Sequence, residues 1–133
     1  MAYFLFKTEP EVYNFEDFLT DQTTVWDNVT NPTAVKYLRE MEAGTEFIFY
    51  HTGEERTAVG TGTVVSVEAT DPKTPIVQVK VGDWLKQPKT LDDIKDEPMF
   101  DDSPLVTIGR LSVVPLTVTQ WRWFVSDAPE DKE

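Results

Sequence analysis

Four short stretches set polar side chains at the edges of apolar runs, and the chemistry they offer is recognition. Lys7-Thr8-Glu9-Pro10 follows the apolar Tyr3–Phe6. Trp26 stands in Val25-Trp26-Asp27-Asn28, Tyr50-His51-Thr52 follows the apolar Phe47-Ile48-Phe49, and Gly109-Arg110-Leu111-Ser112 leads into Val113. Strand ends and helix starts are where binding sites are commonly built. Trp26 and Tyr50 offer flat faces to a heterocyclic ring, a contact worth about 1–3 kcal/mol per stacked base. Asn31, Thr52 and Ser112 can hydrogen-bond base edges, and Arg110 and Lys7 can meet a phosphate or another polar edge. Each residue also has a plainer explanation. Trp26 alone is accounted for by core packing, and Asn31 by helix capping. Lys7 with Glu9 can form a surface ion pair worth about 0–1 kcal/mol. Trp84, Trp121 and Trp123 are assigned to packing.

Signatures of catalysis are missing. The sequence holds no glycine-rich phosphate loop, no nucleophile elbow and no metal-binding helix motif. It has no cysteine and one histidine, which excludes a thiolate zinc or iron–sulfur centre and leaves no metal or other cofactor expected. His51 is the one imidazole able to act as a general base, with Glu9, Asp27 or Ser112 as possible neighbours. Nothing in the sequence places them together. An enzyme acting on a nucleotide or small metabolite through His51 therefore stays open as an alternative, as does an acidic protein-interaction domain.

These residues must be held by short elements. Tyr3–Lys7 reads as a buried strand. Asn14 with Asp17 forms a capping box for a helix from Phe15, and Asn31-Pro32 starts a helix carrying Ala34, Val35, Leu38 and Met41 on one face, with Gly44 stopping it in a left-handed turn. Glu46–His51 is a strand, Thr52–Glu55 a turn, and Ala58–Glu68 a strand whose Gly60 and Gly62 mark a bulge or the close approach of another group. After the loop Asp71–Pro75, Ile76–Val81 alternates as a strand. Thr90 with Asp93 caps a short helix that ends before Pro98, Leu111–Leu116 is the last strand, and Thr117 with Gln120 caps a helix carrying Trp121, Phe124 and Val125. Several strands with short helices in irregular order imply an α+β fold: a mostly antiparallel, curved sheet or small barrel flanked by helices.

The 133 residues are the size of one domain, with 40% hydrophobic content to build its core. The expected division is a single domain over 1–126 and a polar tail over 127–133. The first apolar run lacks a preceding basic region and is too short for a signal peptide or a membrane span, so a cytoplasmic protein is expected. Net charge is −12, with 12 basic residues against 24 acidic ones. A broad basic face for a nucleic-acid backbone is therefore unexpected. Either a local pocket holds the ligand, or the acidic surface suits a high-salt setting where phosphate attraction is screened.

An ordered set of motifs resembles the EVE domain family, a PUA-like group. The likeness runs from Tyr3 to about Phe124. It comprises Phe6-Lys7-Thr8-Glu9-Pro10, Val25-Trp26-Asp27-Asn28-Val29-Thr30-Asn31, Leu38-Arg39-Glu40-Met41 with Gly44, Phe49-Tyr50-His51, Val59-Gly60, Asp71-Pro72, Pro88 before Leu91, and Arg110-Leu111-Ser112-Val113 with Pro115. The resemblance implies a PUA-like sheet or pseudo-barrel and kinship with YTH, ASCH and SRA-type modules, which read modified bases. It implies non-enzymatic recognition of a modified base in DNA or RNA, single-stranded or flipped, in an aromatic-lined pocket. Trp26, Asn31, Tyr50, His51, Arg110, Leu111 and Ser112 are its implied pocket residues, with Lys7, Glu9 and Pro10 as wall. The chain departs from the pattern at Tyr3-Phe4, where a tryptophan is usual, at Thr45, where an acidic residue is usual, and at Thr52, where serine is typical. Val35 stands where a basic residue is usual, which removes one expected phosphate contact.

Overall fold

The described residues form six strands in one sheet, ordered from edge to edge as Thr23–Trp26, Ile76–Thr90, Thr57–Glu68, Glu46–His51, Tyr3–Thr8 and Val113–Leu116. The computed structural model describes residues 3–26, 29 and 31–126. The strands are β1 Tyr3–Thr8, β2 Thr23–Trp26, β3 Glu46–His51, β4 Thr57–Glu68, β5 Ile76–Thr90 and β6 Val113–Leu116. The helices are α1 Phe15–Asp21, α2 Pro32–Glu40, α3 Leu91–Lys95, α4 Pro104–Thr107 and α5 Val118–Val125, with a 3₁₀ turn at Pro98–Phe100. The pairing of β1 with β3 is parallel and every other pairing is antiparallel. This is the expected α+β arrangement.

Local chemistry explains the helix starts. In α1, Asn14 Oδ1 accepts the Asp17 N–H at 2.8 Å and the Asp17 carboxylate accepts the Asn14 N–H at 3.0 Å. Thr90 with Asp93 and Thr117 with Gln120 repeat this reciprocal box. At α2, Asn31 Oδ1 accepts the N–H groups of Thr33 and Ala34, with Pro32 in the first turn.

Four boundaries differ from the sequence expectation. Helix α2 ends at Glu40 with Met41 in extended backbone, so Gly44 does not cap it. Gly44 takes its positive φ of 95° in the following turn instead. Strand β5 does not stop at Val81 but runs to Thr90, because β4 pairs with it along its length despite register shifts on either side of Gly60. Strand β6 begins at Val113, leaving Gly109 and Arg110 in a turn. The segment after Pro98 adds the 3₁₀ turn and α4, both started by prolines in their first turn.

The core is aromatic. Phe6 stacks on Phe47 at 4.1 Å between ring centres, Phe18 on Phe49 at 5.4 Å, and Trp26 packs 5.1 Å from Phe6. Both glycines of β4 admit a ring. A Cβ on Gly60 would lie 2.3 Å from the Phe15 ring, and one on Gly62 would lie 2.3 Å from that of Phe47. Trp121 is buried and stacks on Tyr3 at 4.7 Å, while Trp123 packs edge-on against Phe100 and Phe124. Trp84 departs from its packing assignment: its ring meets Phe15 at 4.7 Å but about half of it, 48%, faces solvent. Val35 is buried with Ala34 and Leu38 beneath α2, so this position faces the protein interior and not a phosphate.

Candidate functional site

Strands β2 and β6 are the two edges of the sheet, yet they border one cleft. Thr24, Val25 and Trp26 line it from β2, and Arg110 and Ser112 from the segment leading into β6. Trp26 also touches Phe6 of β1, the neighbour of β6. The sheet therefore curls until its edges face each other, and the cleft, of about 530 Å³, occupies the gap. Lys7 and Thr8 from the end of β1, Val12 and Tyr13 from the turn beyond it, Val29, and Asn31 at the start of α2 complete the lining. Such a volume is within the roughly 300–1,000 Å³ of small-ligand sites.

Each wall is fixed by identifiable contacts. Lys7 is tied to the 109–112 segment twice: its N–H donates to Ser112 O at 2.9 Å and its Nζ to Gly109 O at 2.9 Å. Burial pulls its ammonium below the usual lysine range. Thr8 Oγ1 donates to Tyr13 O at 3.0 Å and so holds the Glu9–Tyr13 turn against the strand. Tyr13 donates its hydroxyl to Asp21 at 2.9 Å, and burial followed by that bond pushes the phenol up to about 12, keeping it neutral. Trp26 is buried, with its ring among Phe6, Tyr13, Phe47 and Phe49, and forms the aromatic wall. The capping role of Asn31 uses only its amide oxygen, so its NH₂ group has no acceptor among the described residues. Arg110 is exposed at the same cleft. The cleft thus joins an aromatic wall, an amide donor, hydroxyls and two cations, a set able to hold a planar heterocycle and an attached anion.

Of the residues singled out in the sequence, Lys7, Trp26, Asn31, Arg110 and Ser112 meet here. Tyr50 and Thr52 do not: they line a separate cleft of about 260 Å³ that adjoins the first at Lys7. Leu111 is buried in the core. Glu9 and Pro10 form the turn after β1, where Glu9 O accepts the N–H groups of Val12 and Tyr13, and neither lines the cleft. His51 is also buried and does not line the cleft, although it pairs in register with Thr8, which does. Its Nε2 accepts the Phe15 N–H at 3.1 Å and its Nδ1 lies 2.8 Å from the Glu55 carboxylate. Neither Glu9 nor Ser112 is its partner, and Asp27 lies outside the described residues. No group of acidic and histidine side chains suited to a metal occurs among the described residues. Val12, Tyr13 and Thr24 were not singled out in the sequence, and Val25 was named only as a neighbour of Trp26. The run Thr23-Thr24-Val25-Trp26 is β-branched before an aromatic residue, and that pattern was the available sign of an edge strand.

A family model described as the EVE domain matches residues 2–126. Thymocyte nuclear protein 1 of Danio rerio is 28% identical over 166 aligned residues, covering 96% of this chain and 72% of that protein. Among solved structures, the NMR structure of Rpa0253 from Rhodopseudomonas palustris is similar with a TM-score of 0.86 at 29% identity, covering 94% of this chain and 91% of that one. The human THYN1 protein in complex with 5-methylcytosine-containing DNA is similar with a TM-score of 0.83 at 27% identity, covering 94% and 96%.

Proposed function

From the premise that this chain belongs to the EVE domain family, we propose that it binds a modified base of a nucleic acid without transforming it, and that the cleft between the sheet edges takes the base. The observation that carries this reading is the convergence of Trp26, Asn31, Ser112, Lys7 and Arg110 on one 530 Å³ cleft, in a chain similar along its length to a protein solved with 5-methylcytosine-containing DNA. In this reading Trp26 and Tyr13 supply the aromatic wall. The Asn31 amide and the Ser112 hydroxyl meet the polar edge, and Arg110 and Lys7 face the strand's phosphates. A paired base must leave its stack to enter, which costs a few kcal/mol, so single strands and flipped bases are the favoured forms. The involvement of both His51 nitrogens in contacts within the protein speaks against the alternative of catalysis through this residue.

The test is a titration followed by tryptophan fluorescence. Matched DNA and RNA oligonucleotides, with 5-methylcytosine, another modified base or only unmodified bases, are compared at several salt concentrations. Tighter binding of one modified oligonucleotide than of its parent, weakened in Arg110→Gln, is the expected result. Equal affinity for every modified base and its parent refutes the reading.

A further inference from the structure

The smaller cleft is cationic in a chain whose net charge is −12. Lys7, Arg56 and Lys95 line it beside Tyr50, and no aspartate or glutamate does. Among the described residues no carboxylate pairs with Lys7, Arg56 or Lys95, so none of the three cations is neutralised by a direct partner. Arg56 holds a left-handed backbone with φ of 44°, where glycine would cost less. That conformation is fixed from two sides: Leu91 N–H donates to Arg56 O at 2.8 Å, and Arg56 Nε donates to Gly53 O at 3.2 Å. The two terminal guanidinium nitrogens remain without an acceptor among the described residues. So does the Tyr50 hydroxyl, which is open to this cleft, since no fully buried side-chain oxygen or nitrogen among the described residues lacks a partner. Lys7 borders both clefts, with its Nζ 5.9 Å from the centre of the Tyr50 ring.

We propose that this smaller cleft is a phosphate subsite, in which Arg56, Lys95 and the Tyr50 hydroxyl take a phosphodiester of the strand whose base fills the larger cleft. The proposal rests on the base-binding reading. The two terminal guanidinium nitrogens and the ammonium are donors only, and the phenol can donate its hydroxyl, which matches the acceptor oxygens of a phosphate. Lys7 marks the boundary, one residue reaching both the base side and the phosphate side. Concentrating cations here lets an acidic protein hold a strand without a basic face.

The experiment compares three probes on the full chain: 5-methyl-2′-deoxycytidine as free nucleoside, a trinucleotide with that base in the middle, and inorganic phosphate. Other modified bases replace 5-methylcytosine if the titration above selects them. Arg56→Gly removes the charge while suiting the backbone, and Lys95→Gln provides a second variant at an exposed position. Trinucleotide affinity is expected to fall about tenfold in Arg56→Gly, with the slope of log affinity against log salt flattening by about 0.7 for each lost contact, while nucleoside affinity stays unchanged. Unchanged trinucleotide affinity and salt slope in both variants, or an equal loss for the nucleoside, overturns the phosphate subsite and leaves the base reading intact. Binding of inorganic phosphate with the trinucleotide held no better than the nucleoside overturns the assignment to a strand phosphate. If the unaltered protein binds neither nucleoside nor trinucleotide, the base reading itself fails and this inference falls with it.

Discussion

The Nε2 of His51 accepts the backbone N–H of Phe15 at 3.1 Å, joining residues 36 positions apart. An accepting Nε2 carries no proton, so in the neutral ring the proton is on Nδ1, which faces the Glu55 carboxylate at 2.8 Å. The imidazole thus ties the start of α1 to the end of β3 and to the turn beyond it. His51→Ala would leave the Phe15 N–H without its acceptor, at a cost of about 1–3 kcal/mol. In denaturant titration the midpoint is expected to fall with unchanged slope, and His51→Gln, whose amide oxygen can accept, should recover part of the loss. Base binding measured well below the midpoint should persist. An unchanged midpoint with binding abolished would assign His51 to the ligand instead.

Phe15 is constrained from its other side by Gly60. A Cβ there would lie 2.3 Å from the ring, and Phe15 is fully buried, so the ring has nowhere to retreat. Gly60→Ala is expected to cost about 1–3 kcal/mol through overpacking. A paired Gly60→Ala, Phe15→Leu variant should lose less than the two single changes added together, because the smaller side chain makes room. Additive losses in such a double-mutant cycle would show that the two residues do not share this contact.

Much of the scaffold was legible because its signals are local. Asn14 with Asp17, Thr90 with Asp93, and Thr117 with Gln120 are reciprocal boxes spaced within one helical turn, and the alternation or apolar density of β1, β3 and β4 needs no distant partner. The site was legible only in part. Lys7, Trp26, Asn31, Arg110 and Ser112 meet because the sheet curls, and curling depends on which strands become edges, which no short window of sequence contains. Tyr50, His51 and Thr52 follow Phe49 in the chain, where the register with β4 shifts; Tyr50 and Thr52 line the smaller cleft, and His51 is turned inward to accept the Phe15 N–H. Leu111 sits between Arg110 and Ser112 in sequence, yet it is buried while both neighbours line the cleft.

Trp26 is both core and wall, so truncation cannot separate its two roles. Trp26→Ala removes a buried indole and is expected to cost about 3–5 kcal/mol of stability, enough to obscure any binding measurement. Trp26→Phe keeps most of the ring contacts with Phe6 and Phe49 while shrinking the stacking face. Its midpoint should fall by less, and modified-base affinity should drop about threefold to tenfold. Affinity unchanged in a folded Trp26→Phe protein would mean that this wall does not touch the base.

Alkaline pH offers a test that needs no ligand. Burial pushes the Tyr50 phenol up to about 12, with Arg56 pulling it the other way, and Tyr13 also lies near 12. An unfolded phenol ionises near 10, so above that value the unfolded chain gives up its proton first. The stability linked to the raised value is therefore intact below pH 10 and is lost as pH rises from about 10 through 12. Tyr50→Phe should make the decline over this window shallower by about 1 kcal/mol, discounted because Tyr50 borders an open cleft. An equally steep decline in the variant would remove Tyr50 as a contributor.

Asn31 allows capping and ligand recognition to be separated at one position. Its amide oxygen accepts from Thr33 at 2.9 Å and Ala34 at 3.1 Å, while the residue lines the cleft and its NH₂ group has no acceptor among the described residues. Asn31→Ser keeps a capping acceptor of nearly equal quality and deletes the amide donors; Asn31→Ala deletes both. Thermal unfolding should show Ser close to the parent and Ala lower by about 1 kcal/mol. If the amide reads a base edge, both variants should bind the modified oligonucleotide about fivefold to tenfold more weakly, by the same factor, although only one of them is destabilised. Binding that instead follows stability, full in Ser and reduced in Ala, would confine Asn31 to its helix.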